Sequence, residues 1–167
     1  MSFLIILGGL PGSGKTALAR TLARRLPALH LRVDTIEQAM LAAGQAPGAL
    51  GYGIAQALAT ENLRNGLTVV ADSVNPVAAS RAGWRDAAAA AGAPFLDVAV
   101  FCSDAAEHRR RVETRTADIA GHRLPDWAAV LALRFEPWDA ALRIDTAGIA
   151  PDAAADQVIA RLRTGNR

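Results

Sequence analysis

Residues 9–16 read Gly-Leu-Pro-Gly-Ser-Gly-Lys-Thr, three glycines set around one cation and one hydroxyl. Without a Cβ, a glycine backbone can turn its N–H groups inward and approach an anion closely. The spacing G-x-x-x-x-G-K-T, after an apolar run and before a helical stretch, is that of a phosphate cradle. Gly9, Pro11, Gly12, Ser13 and Gly14 then surround phosphates, Lys15 reaches the β- and γ-phosphates, and the Thr16 hydroxyl ligates Mg²⁺. The helix beginning near Lys15 adds its positive end. The ligand this predicts is ATP with Mg²⁺. The alternative is a glycine turn with no ligand, which has no use for the cation.

That cation is singular. Lys15 is the only lysine among 18 basic residues, and the other 17 are arginine. Arginine therefore serves wherever a positive charge is merely needed. A compact ammonium stands at the one position where a planar guanidinium does not substitute.

Two aspartates complete the chemistry. Asp72 closes the run Leu-Thr-Val-Val-Ala, a Walker B pattern, where it would hold waters on Mg²⁺. Ser73, Val74 and Asn75 follow it, so the glutamate that primes water in ATP-hydrolysing motors is missing. Asp34 follows the second apolar run and opens onto the same crevice. It can orient a hydroxyl and accept its proton during phosphoryl transfer, or it can cap the helix starting at Thr35. Arg111 and Arg115, four apart, would share a helix face with His108 and close over a triphosphate, excluding water. A solvated basic face is the competing reading, and it is the one assigned to Arg109 and Arg110.

The chain resembles the small P-loop kinases, the group that holds gluconate, shikimate and adenylylsulfate kinases, chloramphenicol phosphotransferase and polynucleotide 5′-hydroxyl kinase, also described as AAA-domain ATPases. The likeness rests on residues 9–16, on Arg-Val-Asp-Thr-Ile at 32–36, and on Asp-Ser-Val-Asn at 72–75 followed by Arg81. It implies a three-layer α/β/α fold with a five-stranded parallel sheet of order 2-3-1-4-5, and a helical lid near 104–125. It further implies that Asn75 and Arg81 face the acceptor, an N-cap and a solvated charge being their other readings. His122 and Arg123 would touch substrate, or lie on a surface loop. One lid arginine, Arg115, would stack on adenine, and Thr146, in Asp-Thr-Ala-Gly after the last strand, would stand beside the base. GTP is disfavoured, because an Asn-Lys-x-Asp signature needs a second lysine.

The elements that must position these residues follow from patterning. Short apolar runs at 3–7, 29–33, 67–71, 95–101 and 142–144 predict strands buried on both faces. Helices are expected near 15–25, 35–43, 52–65, 77–91, 105–115, 127–140 and 153–163, with Asp104 and Asp126 as N-caps. The stretch 43–51, with four glycines or prolines, predicts a loop. Strand–helix alternation gives right-handed βαβ units, and 167 residues suit one domain spanning 1–167.

Hydrophobic residues make up 51% and charged ones 20%, and the net charge is +2, too small to argue nucleic-acid binding. The opening Met-Ser-Phe-Leu-Ile-Ile-Leu run lacks a preceding positive charge and reads as a buried strand, not a signal or membrane segment. Lone Cys102 forms no internal disulfide and fits a cytoplasmic protein. The leading expectation is an ATP-dependent kinase acting on a small-molecule hydroxyl, as a monomer or homodimer. A polynucleotide 5′-hydroxyl kinase is a second, disfavoured for want of free aromatics. A slowly hydrolysing ATP-binding switch or adaptor is a third.

Overall fold

The computed structural model describes residues 2–164. Its five strands are β1 (Leu4–Gly8), β2 (Ala28–Arg32), β3 (Thr68–Asp72), β4 (Phe95–Phe101) and β5 (Leu142–Asp145). All pair in parallel, in the order β2-β3-β1-β4-β5. The helices are α1 (Lys15–Arg25), α2 (Val33–Ala42), α3 (Leu50–Arg64), α4 (Ala78–Ala90), α5 (Ala105–Thr114), α6 (Trp127–Ala132) and α7 (Pro151–Thr164).

The central strand shows why the apolar runs are unbroken. Leu4, Ile5, Ile6 and Leu7 of β1 are all fully buried. Ile5 and Leu7 pack with Leu18 and Leu22 of α1 and Ala155 and Val158 of α7. Leu4 and Ile6 point the other way, to Ala55 and Leu63 of α3 and to Trp84 and Ala88 of α4. A strand covered on both faces needs apolar side chains at every position. Each buried leucine or isoleucine contributes about 1.5–3 kcal/mol relative to an exposed one. This gives the three-layer α/β/α arrangement. Among the described residues, no helix is long and apolar enough to cross a membrane.

Parallel register brings the functional residues together. Leu7 lies opposite Asp72, Arg32 lies opposite Asp72, and Gly8 lies opposite Ala99. The C-terminal ends of β1, β2 and β3 therefore form one rim, from which the glycine loop, Asp72 and Asp34 all emerge.

Three local departures from the sequence expectations alter the site. First, α2 begins at Val33, with Arg32 as its N-cap and no side-chain cap bond, so Asp34 sits in the first turn and does not cap. Second, α5 ends at Thr114 and Arg115 is extended, so Arg111 and Arg115 do not share a helical face. Third, the helix expected over 127–140 stops at Ala132. Pro137 disfavours helical geometry at Glu136, and the following chain is tied elsewhere, with Glu136 N–H donating to Pro76 O at 2.8 Å. Asp104 and Asp126 do cap their helices, accepting from Ala106 and Glu107 N–H and from Ala129 N–H.

Candidate active site

The glycine loop has the backbone that its composition predicts. Gly12 (φ 81°) and Gly14 (φ 99°) are left-handed, and Gly14 is the N-cap of α1. A Cβ on Gly9 would stand 2.0 Å from the Val100 carbonyl oxygen, a backbone atom that cannot yield. Lys15 is buried, and its Nζ donates to Leu10 O at 3.3 Å. Burial pulls Lys15 below the ordinary lysine range; Asp72 and Asp34 oppose this, while Arg115 and Arg32 add to it. A triphosphate in the loop would supply the missing negative charge.

The loop is braced from two sides. Thr146 Oγ1 donates to Ser13 O at 2.7 Å. Arg111 donates to Thr146 Oγ1 and to Thr146 O, each at 2.8 Å. His108 Nε2 lies 2.9 Å from Pro11 O, and its ring meets Trp127 edge-on. Arg111 and His108 thus fasten α5 to the glycine loop. Arg109 is exposed and pairs with Glu113, and Arg110 is exposed.

Asp72 is buried beneath the loop, with His30 Nε2 3.0 Å from its Oδ2. An ionised carboxylate only accepts, so His30 carries its proton on Nε2. Burial alone would raise the Asp72 carboxyl. The His30 hydrogen bond, the Lys15 ammonium and the Thr16 hydroxyl outweigh it and hold the group below its usual range. The Thr16 hydroxyl and the Asp72 carboxylate are hard oxygen donors, the kind Mg²⁺ takes. Among the described residues no three histidine, cysteine or acidic side chains cluster to hold a metal by themselves. A cation here would therefore also draw on phosphate oxygens.

A cavity of about 840 Å³ lies over the loop. Lys15, Thr16, Asp34, Arg111, Arg115, His122 and Thr146 all line it, so most of the residues singled out from sequence do converge. Asp34, with its side chain 34% exposed, faces this space and lies 3.4 Å from Arg32 Nη2. Arg115 is half-buried, and desolvation lowers its pKa while Asp34 opposes.

Three expected substrate contacts lie elsewhere. Asn75 is fully buried with φ 52°; its Nδ2 donates to Leu7 O at 2.8 Å and its Oδ1 accepts from Trp84 Nε1 at 3.0 Å. Arg81 is 3% exposed and donates to four carbonyls, those of Asn75, Pro76, Glu136 and Pro137, at 2.7–3.0 Å. Phe135 and Trp138 flank its guanidinium, at 5.3 and 5.2 Å from the ring centroids. Asn75 and Arg81 hold β3 to α4 and to the chain after α6, and neither lines the cavity. Arg123 is exposed and outside the cavity wall, unlike its neighbour His122.

Conversely, sequence reasoning missed Arg20, Arg32, His30 and Asp118. Arg20, Arg32 and Asp118 line the cavity, and both arginines donate to the Asp118 carboxylate. Asp118 is held at about 2, against a burial effect that would raise it, by its hydrogen bonds to Arg20 and Arg32. His30 could have been suspected, because it sits two residues before the end of β2, beside the strand that ends in Asp72.

A sequence profile described as an AAA domain matches residues 4–133. No curated protein matches the sequence significantly. Mycobacterium tuberculosis APS kinase CysC, solved with AMPPNP and APS, superposes with a TM-score of 0.74 at 23% identity, over 97% of this chain and 98% of that one. A gluconokinase from Sinorhizobium meliloti gives 0.63 at 17% identity, over 98% and 97%. Chaetomium thermophilum Kti12, solved with ADP-AlF3, gives 0.64 at 23%, over 96% and 97%. At these identities the likeness establishes the P-loop fold. With the profile covering most of its length, the chain belongs to the AAA-domain family.

Proposed function

We propose that the protein is an ATP-dependent phosphotransferase that moves the γ-phosphate to a hydroxyl of a small molecule. The observation that carries this reading is Asp34. It is free of capping duty, it opens into the cavity over the glycine loop, and it is close enough to Lys15 to oppose the lysine's pKa shift. A switch that only binds nucleotide has no need of a cavity-facing carboxylate there.

The chain's groups divide the work as follows. Glycine-loop N–H groups and Lys15 hold the β- and γ-phosphates in place, and Thr16 and Asp72 would hold Mg²⁺, which neutralises phosphate charge when bound. Arg115 and Arg111 border the same space and offset charge on the transferring group. Thr146 and the start of α7 border the same space and would take the base. The acceptor hydroxyl oxygen forms a bond to the γ-phosphorus while the bond to the β–γ bridging oxygen breaks, releasing ADP. The hydroxyl proton passes to Asp34. Little else is asked of the protein beyond positioning and exclusion of water.

A polynucleotide acceptor finds weaker support. Trp84 and Trp138 are buried and Trp127 packs on His108. Exposed Phe95 opens β4 at the N-terminal end of the strand, away from the loop, and among the described residues no Trp, Tyr or Phe lines the cavity. A cytoplasmic setting supplies ATP and Mg²⁺ and suits the unpaired Cys102. The test is incubation with γ-labelled ATP and a broad metabolite pool. Label on an organic acceptor is expected; label released only to water supports a hydrolytic switch instead.

A further inference from the structure

Arg20 on α1 and Arg32 at the end of β2 converge on one carboxylate, Asp118, carried by the irregular chain that follows α5. Arg32 Nη1 reaches both Asp118 oxygens, at 3.0 and 2.9 Å, and Arg20 Nη2 donates to Oδ2. Guanidinium groups take up a free carboxylate, sulfate or phosphate in this same way. The cluster is part of the wall that also holds Asp34.

The two sides of the cluster differ in how firmly they are held. The Arg32 side chain is 12% exposed, and its second terminal nitrogen lies 3.4 Å from Asp34. The Asp118 side chain is 39% exposed and belongs to no helix or strand. Donors also outnumber acceptors. Arg32 Nε and Arg115 Nε are buried and have no hydrogen-bond partner among the described residues. Buried N–H groups left unpaired in this way ask for a ligand.

We propose that Arg20 and Arg32 form an anion subsite of the acceptor pocket, filled by Asp118 until the acceptor arrives. The acceptor is then a small molecule bearing a carboxylate, sulfate or phosphate a few bonds from the hydroxyl offered to Asp34. This rests on the phosphotransfer reading and specifies its substrate class. A single guanidinium, that of Arg32, spans from Asp118 to Asp34, so a short molecule suffices to link the two positions. The exchange makes and breaks no covalent bond. Asp118, held at about 2, stays charged at any working pH, so another anion displaces it and protonation does not.

The probe is sulfate, titrated at constant ionic strength into the full chain saturated with Mg²⁺ and AMPPNP, so that the glycine loop is already filled. A group tethered on a loop competes at an effective concentration in the millimolar range. Asp118→Asn removes that competitor and should tighten sulfate binding by about tenfold. Adding Arg20→Gln, at a half-exposed position that folding tolerates, should undo the gain. Sulfate affinity unchanged by Asp118→Asn, or a gain that survives Arg20→Gln, overturns the subsite. Label moving from ATP only to uncharged alcohols overturns the acceptor class. Sulfate binding as described, with no label moving to any alcohol, upholds the subsite and counts against phosphotransfer itself.

Discussion

Replacing Arg81 with alanine should destabilise the protein severely while leaving nucleotide affinity intact. The guanidinium donates to four backbone carbonyls on two chain segments, 75–76 and 136–137, from a position 3% exposed. A hydrogen bond to a charged group contributes about 1.5–3 kcal/mol net. Water entering the space left behind would recover part of that for the outer carbonyls. The loss of packing between Phe135 and Trp138 adds to the cost. Together these predict about 3–5 kcal/mol, the upper end for one substitution. For a chain of this size each kcal/mol lowers Tm by about 2–4 °C, so a drop of roughly 10 °C is expected by circular dichroism. Arg81→Lys keeps the charge but cannot span both segments, and should lose about half as much. ATP affinity, measured below the unfolding temperature, should match the wild type. A fall of less than about 3 °C with weakened substrate turnover would refute this reasoning and return Arg81 to the acceptor side.

Other outcomes follow from the site. Lys15→Arg should weaken ATP binding about as much as Lys15→Ala, by roughly 10–100-fold in calorimetry, because a planar fork does not replace a compact ammonium against the phosphates. For Asp118 the folded pKa is lowered to about 2 from 3.8, so its contribution to stability is fully present above about pH 4 and fades as pH falls through 4 toward 2. Asp118→Asn should flatten that part of an acid-unfolding profile, by a modest amount given its exposure. An unchanged profile would count against the Arg20–Asp118–Arg32 contacts.

How much of this was legible in the sequence depended on how local the cause was. The strand, glycine loop and α1 follow from neighbouring residues, an apolar run, three glycines and one lysine, and they fold as those residues require. Asp104 announces α5 because a cap acts on N–H groups two and three residues away. Arg81 and Asp118 have no such signal. Arg81 is fixed by carbonyls 55 and 56 residues distant, and Asp118 by arginines 86 and 98 residues distant. The family resemblance made Arg81 look like a ligand-binding group, whereas its hydrogen bonds satisfy buried backbone carbonyls. Residues 133–140 carry helix-compatible spacing, yet the same Arg81 contacts and Pro137 hold them in an irregular path. Asp34 was placed correctly at the rim, but only the start of α2 at Val33 removed its capping alternative.

The most direct test concerns Asp34. Transfer of label from γ-labelled ATP to the acceptor pool, followed in wild type and Asp34→Asn alongside calorimetric ATP affinity, separates proton acceptance from nucleotide binding. Loss of a positioned general base predicts transfer slowed about 10²–10⁴-fold with ATP affinity nearly unchanged. Transfer at the wild-type rate in Asp34→Asn would contradict the assignment of this site as a phosphotransferase centre built on Asp34.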